Sequence, residues 1–332
     1  MLRYPNFLCY PPFSRRHVTL PTMRIVFMGT PDFAVPVLSR LIDEGHDIAA
    51  VYSQPDSPSG RGRKLVPTPT KRFAGERGIE VRQPKSLRSA DEYEALASLS
   101  PDVVVVAAYG LFLPPDALEI PPLGCLNIHP SLLPSYRGPS PVVSAILNGD
   151  DETGATIMKL DEGMDSGPIL AQERVSIAEE ETAPELTRRL FDVGADLLVD
   201  TLPRWSSGDI QATPQDESRA TFTTLVKKED GEIDWTHDAE RISRMVRAYD
   251  PWPGTFTNWD GKLLKILNAT AIAGDAPPGQ VVGLDDGGVG IGTGDGLLAV
   301  SRLQIEGRRL SDAQDFVRGY PDFVGTELRR KS

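Results

Sequence analysis

Between Met23 and about residue 205 the apolar positions follow two spacings in turn, and their alternation predicts the fold. Arg24-Ile-Val-Phe-Met28 reads as a short apolar strand, closed by the turn Gly29-Thr-Pro-Asp32. Phe33, Val37, Leu38, Leu41 and Ile42 then recur at helical spacing, and Gly45 stops that helix. Pro36 belongs in its first turn, because deeper in a helix a proline breaks a hydrogen bond. Asp47 to Tyr52 is a second strand. Asp102 to Ala108 is a continuous β-branched run of the kind buried on both faces of a parallel sheet. Further strands are expected at Leu126–Pro130 and Ala155–Leu160, with a helix at Pro141–Leu147 between them. This strand–helix alternation predicts an α/β, Rossmann-like layered domain. Ligands of such domains sit beyond the carboxyl ends of the strands, so the loops after residues 28, 52, 108, 129 and 161 are the ones to inspect.

The helical spacing fades after about residue 205, where Ser206 to Asp209 and Thr213 to Ser218 are polar and rich in turn formers. From residue 229 short apolar segments take over at Leu263–Leu267, Gln280–Val282, Gly288–Ile291 and Gly296–Val300. Asp-Gly turns at 260–261, 286–287 and 295–296 punctuate them, which predicts a small β-barrel. The expected division is an N-terminal extension over 1–22, a catalytic α/β domain over 23–207, a linker over 208–227 and a smaller barrel domain over 228–332. The extension carries Arg3, Arg15 and Arg16 with no acid. It lacks the apolar core or amphipathic pattern of a targeting peptide, and reads as an unstructured tail or as sequence upstream of a start at Met23.

Composition narrows the function classes. No run approaches the roughly 20 apolar residues that span a bilayer, so no membrane association is expected. Only Cys9 and Cys125 occur, without Cys-x-x-Cys, which favours a reducing, cytoplasmic setting. Four histidines without a cluster give no expectation of a metal site. A net charge of −12 argues against non-specific nucleic-acid binding. The exception is local: Arg61, Arg63, Lys64, Lys71 and Arg72 share their stretch with one acid, Asp56. That loop is either a solvated basic surface or a contact for a polyanion.

Leu126-Asn-Ile-His-Pro130 carries the chemistry. Strand side chains alternate, so Asn127 and His129 share one face and Ile128 the other. An amide and an imidazole at a strand end together suit a developing oxyanion, although the same pair also serves as a hydrogen-bonded structural element. The loop that follows, Ser131-Leu-Leu-Pro-Ser-Tyr-Arg-Gly138, places Leu132 and Leu133 where they cover either a ligand or the core. Asp161-Glu-Gly-Met-Asp-Ser-Gly167 makes a tight loop after the strand at 155–160. If that strand runs parallel to the one at 126–130, both loops emerge at one edge and Asp165 reaches His129. Its carboxylate would then favour the charged imidazolium and raise the imidazole pKa toward neutrality. The alternative is a turn aspartate capping its own loop. Cys125 reads as a small core residue.

Asn127-x-His129 leading into SLLPSYRG, with Gly-Met-Asp165-Ser-Gly downstream, resembles the folate-dependent formyltransferase family. The opening MRIVFMGTPDFAVPVL, the loop QPDSPSGRGRKL, the strand VVVAAYG and the distal DWTHDAERISRMVRAYDPWPGT extend the resemblance from Met23 to the C-terminus. It implies 10-formyltetrahydrofolate as donor and the α-amine of methionyl initiator tRNA as acceptor, in a monomeric cytoplasmic enzyme. It also implies a Rossmann-like formyltransferase domain followed by an OB-like β-barrel domain. His129 would be the acid/base, Asn127 would donate to the formyl oxygen, and Asp165 would hold His129 charged and position a water. Ser131, Leu132, Leu133 and Pro134 would line the folate site, and Leu111 and Phe112 would offer backbone groups to the pterin. Arg61, Arg63 and Lys64 would clamp the tRNA acceptor stem. The barrel gives less: residues 229–332 hold 12 Lys/Arg against 17 Asp/Glu, with Arg302, Arg308 and Arg309 as a local basic patch. Trp252 and Trp259 read as core or domain-packing residues.

Acyl transfer to an amine needs oxyanion stabilisation and proton shuttling but no covalent nucleophile and no metal, which agrees with this set. A formyltransferase acting on an amino sugar nucleotide would share the trio but have little use for the basic loop. A nucleotide-dependent oxidoreductase would need G-x-G-x-x-G after the first strand, where this chain has Gly-Thr-Pro-Asp-Phe-Ala.

Overall fold

The computed structural model describes residues 22–59, 64–285 and 287–330. The first half alternates as the spacing predicts: β1 Arg24–Gly29, α1 Val35–Asp43, β2 Asp47–Tyr52, the hairpin β3 Ser57–Ser59 and β4 Lys64–Val66, α2 Pro69–Gly75, β5 Val81–Arg82 and α3 Ala90–Ser98. There follow β6 Val103–Ala107, α4 Pro115–Leu118, β7 Cys125–His129, α5 Pro141–Asn148, β8 Glu152–Lys159, β9 Ile169–Ser176 and the long α6 Ala183–Ser206. Pro36 stands in the first turn of α1, where its missing N–H costs no bond. Seven of the strands form one sheet in the order β5-β2-β1-β6-β7-β8-β9. Every residue of β6 is buried, as a strand covered on both faces requires.

One face of this sheet, including Phe27, Val105, Leu126, Ile128 and Ile157, packs under α1 and α6. Gly194 of α6 lies so close to Ile128 that an added Cβ would stand 2.5 Å from its Cγ2. The other face, including Met28, Tyr52, Val104 and Cys125, is covered from the α3 and α4 side. That second face turns polar toward the end of β7, where Asn127 and His129 follow Cys125 at strand spacing.

The strands from β5 to β7 are parallel, but β8 runs antiparallel to β7, with Leu126 opposite Lys159 and His129 opposite Thr156. The parallel arrangement expected for the strand at 155–160 is therefore corrected. Only the short α5 separates the two strands, and it returns the chain alongside β7 in the opposite sense. As a result the loop after β8 starts beside Leu126, three residues and about 10 Å from His129 along the strand.

The remainder consists of α7 Ala239–Ala248, β10 Thr255–Trp259, β11 Lys262–Ile272, β12 Val281–Gly283, β13 Val289–Gly292, β14 Leu297–Ile305, β15 Ser311–Asp312 and α8 Ala313–Gly319. Its antiparallel sheet is ordered β10-β11-β14-β13-β12, with β15 beside β14. The closing segment at 326–329 bridges to both ends of that order, Arg329 to Asn258 of β10 and Glu327 to Gln280 just before β12. This curls the sheet toward a barrel and covers its edges. Trp259 packs edge-on against Phe316, Tyr320 and Phe323. Trp252, by contrast, is 60% exposed and is not the packing residue expected, because Pro251 and Pro253 hold its turn out on the surface.

The two halves dock through α7. Ala248 joins Val142, Ile146, Leu186 and Leu190 of α5 and α6 in one apolar cluster. Arg244 donates to the carbonyl of Leu147 and Arg247 to that of Glu181, which satisfies carbonyls near the end of α5 and the start of α6. No helix among the described residues is long and apolar enough to cross a membrane.

Candidate active site

Asn127 and His129 stand on one face of β7, as strand alternation requires, with Asn127 half-buried and His129 only 4% exposed. Among the described residues nothing hydrogen-bonds the side-chain amide of Asn127. The imidazole Nε2 of His129 lies 3.0 Å from the Tyr136 carbonyl oxygen. A carbonyl only accepts, so Nε2 carries the hydrogen and Nδ1 keeps its lone pair. Nδ1 faces Oδ2 of Asp165 at 3.7 Å, near enough for the carboxylate to stabilise a protonated ring and too far for a hydrogen bond.

The loop after β8 therefore does reach His129, by folding back over the sheet. Asp165 takes a left-handed backbone, φ +49°, and its Oδ2 accepts the Gly138 N–H at 2.7 Å. The alternative role, capping the turn, belongs to Asp161, whose Oδ1 accepts from the Gly163 N–H and the Ser166 hydroxyl. Gly167 makes the fold-back possible: a Cβ there would lie 1.8 Å from the Lys159 carbonyl oxygen.

Charge at the pair differs from the expectation. Burial pushes the His129 pKa below its ordinary value, outweighing the Asp165 carboxylate and the Tyr136 carbonyl, which both pull it up. Desolvation of an almost fully enclosed ring wins over a carboxylate 3.7 Å away that is itself partly hydrated. Burial therefore favours the neutral ring, and the Asp165 carboxylate pulls against it.

The loop from Ser131 to Gly138 is anchored to β8. The Thr156 hydroxyl donates to the Ser131 carbonyl and accepts from the Leu133 N–H, while Gln172 donates to the Leu133 carbonyl and to the Thr156 hydroxyl oxygen. Leu133 is buried, Leu132 and Pro134 are half-buried, and Leu132 packs on Gly154. Leu111 is half-buried and Phe112 is 52% exposed, both after the turn that ends β6, the strand next to β7. Cys125 is buried against α4, and burial pushes its thiol up to about 12, so it is unreactive.

Arg61 and Arg63 lie outside the described residues; the backbone of Lys64 opens β4 of the hairpin from which that loop springs. Below it Lys71 is bound to Asp56 and Gln83, so this cation braces the base of the hairpin. Leu65 and Val66 are exposed on β4.

Several residues of the site were not singled out in the sequence. The Arg137 guanidinium, 2% exposed, donates through Nε to Gln215 and through both terminal nitrogens to Glu217. The Tyr136 hydroxyl donates to Asp150. An open groove of about 600 Å³ runs past Tyr136, Asn148, Asp150, Thr221 and Phe222. A lone arginine in an otherwise uncharged loop was a usable signal for Arg137. Gln215 and Glu217 gave none, since a polar turn-rich stretch reads as solvent-facing.

The family model for formyl transferase matches residues 23–202, and that for the formyl transferase C-terminal domain matches residues 225–321. The chain is 53% identical over 301 residues to the methionyl-tRNA formyltransferase of Roseiflexus sp. (strain RS-1), covering 90% of this chain and 92% of the relative. It is 44% identical over 297 residues to that of Geobacter metallireducens (strain ATCC 53774 / DSM 7210 / GS-15), covering 90% and 96%. Among solved structures, HypX from Aquifex aeolicus in complex with tetrahydrofolic acid superposes with a TM-score of 0.64 at 20% identity, over 93% of this chain and 48% of that one. WlaRD, a sugar 3N-formyl transferase, gives 0.63 at 16% identity, over 87% and 99%. At such identities these two speak for the fold.

Proposed function

We infer, for a chain that belongs to the methionyl-tRNA formyltransferases of the formyl transferase family, that it moves a formyl group onto the α-amine of methionyl initiator tRNA. The donor we assign is 10-formyltetrahydrofolate, within a family that uses folate. The observation that carries the reading is the trio itself: an amide with no hydrogen bond among the described residues, a buried imidazole and a carboxylate at the polar end of β7. The exposed ring of Phe112, on the loop after the neighbouring β6, gives this end an apolar flank suited to a pterin.

The amine nitrogen attacks the formyl carbon, and the carbonyl π electrons move onto the oxygen. Asn127 donates a hydrogen bond to that oxygen as charge develops. The attacking nitrogen must lose a proton and the folate N10 must gain one before the C–N10 bond breaks. Neutral His129 takes the first proton on Nδ1, with the Asp165 carboxylate beside it, and returns it to N10. Asp165 thus stabilises an imidazolium that exists only during turnover. The groove past Tyr136 gives the acceptor end its approach. Arg61, Arg63 and Lys64 supply phosphate contacts to the acceptor stem.

The test presents the purified chain and 10-formyltetrahydrofolate with charged initiator tRNA, with a 4-amino sugar nucleotide, or with no acceptor. Formylation of the tRNA alone is expected. Transfer to the sugar, or consumption of the folate without acceptor, would overturn the assignment.

A further inference from the structure

We propose that Gln215, in the connection between the two domains, is a positioning residue that sets the place of Asp165. The inference rests on the reading of Asp165 as the partner of His129. Gln215 lies 50 residues away in sequence, yet its Nε2 donates to the carbonyls of both Asp165, at 2.8 Å, and Gly167, at 2.7 Å. Its Oε1 accepts from Nε of the buried Arg137 at 3.0 Å. One amide therefore ties the loop that carries Asp165 to the loop that carries Gly138. Gly138 is the residue whose N–H holds the Asp165 carboxylate. Asp165 is gripped at both ends, at its carboxylate through Gly138 and at its backbone through Gln215.

The chain around Gln215 is held in turn. Arg137 pairs with residues 221 and 223 backbone to backbone, Tyr136 N–H donates to the Thr221 hydroxyl, and Ser140 N–H to that of Thr223. Glu217 accepts one hydrogen from each terminal nitrogen of the guanidinium. Such support helps a non-glycine residue at φ +49°, a left-handed backbone that costs free energy relative to the right-handed and extended regions. Asp165 acts across 3.7 Å without a direct hydrogen bond to His129, so small shifts of its loop change its effect on the ring.

A merely structural Gln215 would serve as the acceptor for Arg137 and nothing more. Gln215→Glu keeps that acceptor, as an ion pair, and loses both donations to the Asp165 loop. Gln215→Met loses all three without adding charge. We expect both variants to melt near the parent and to lose kcat on the order of 10–100-fold, with KM for tRNA and folate within about two-fold. In Gln215→Met the acid limb of the kcat/KM profile moves to lower pH, in the same direction as in Asp165→Asn, because the carboxylate drifts from the imidazole. Parental kcat in Gln215→Glu would overturn the proposal, as would losses that track the loss of folded protein. An impaired Asp165→Asn beside a parental Gln215→Glu removes the positioning role alone. A fully active Asp165→Asn removes the reading of the site as well.

Discussion

At His129 two forces oppose each other, and their balance fixes what the ring does. Enclosure favours the neutral imidazole; the Asp165 carboxylate, 3.7 Å away, favours the charged one. Enclosure wins, so the free protein holds a base whose pKa lies below the ordinary imidazole value of about 6.5. The pH dependence follows with a definite sign. Activity that needs the neutral ring falls as pH drops through the folded-state pKa, and kcat/KM reports that of the free protein. Replacing Asp165 by Asn removes an influence that raises the pKa, so the acid limb should move to lower pH while the plateau falls. A limb that stays in place or moves upward would show that the carboxylate does not act on this ring.

The elements around the site place it by close contacts as much as by hydrogen bonds. β8 leaves the sheet beside Leu126, and its following loop must double back over the strand to bring Asp165 to His129. Gly167 is the pivot, because no side chain fits 1.8 Å from a backbone oxygen. Gly167→Ala should therefore push the loop outward, at a cost of about 1–3 kcal/mol typical of forced overpacking. Thermal unfolding and kcat measured on the same preparation check this, with the rate falling further than the loss of folded protein explains. Parental rates in a fully folded variant would show that the fold-back tolerates a different path. Helix and strand positions here were legible from spacing, since β1, β2 and β6 depend on local periodicity. The direction of β8 was not, because an antiparallel neighbour and a parallel one present the same alternation of side chains.

Charge is the property of the whole molecule that bears on its partner. The chain carries a net −12, and residues 229–332 are themselves acidic, so a polyanion meets repulsion over most of the surface. Attraction is left to local patches, with the basic loop at 61–64 foremost among them in the sequence. The salt dependence of tRNA binding should be correspondingly shallow, since its slope counts the phosphates neutralised. Arg61→Ala is expected to weaken tRNA use at every sequence tested and to reduce that slope by about one, while folate binding is unchanged. Binding measured over a range of potassium chloride concentrations checks this; an unaltered slope would return the loop to ordinary solvated surface. The docking of α7 on α5 and α6 holds the curled sheet against the α/β half. A ligand on the barrel thus meets a body fixed against the α/β half.

The sequence by itself determined what short periods encode: elements such as β1, α1, β2, β6 and α5, the change of texture near residue 205, and the shared face of Asn127 and His129. Each depends on a residue and its near neighbours, so one strand suffices to read it. Tertiary structure decided the rest. It turned β8 against β7, chose Asp161 rather than Asp165 as the turn cap, and left Trp252 on the surface. It also enclosed the imidazole, which lowers its pKa, and brought Gln215 to the back of the Asp165 loop. These outcomes follow from enclosure and from contacts between residues tens of positions apart, and neither is set by a local run of amino acids.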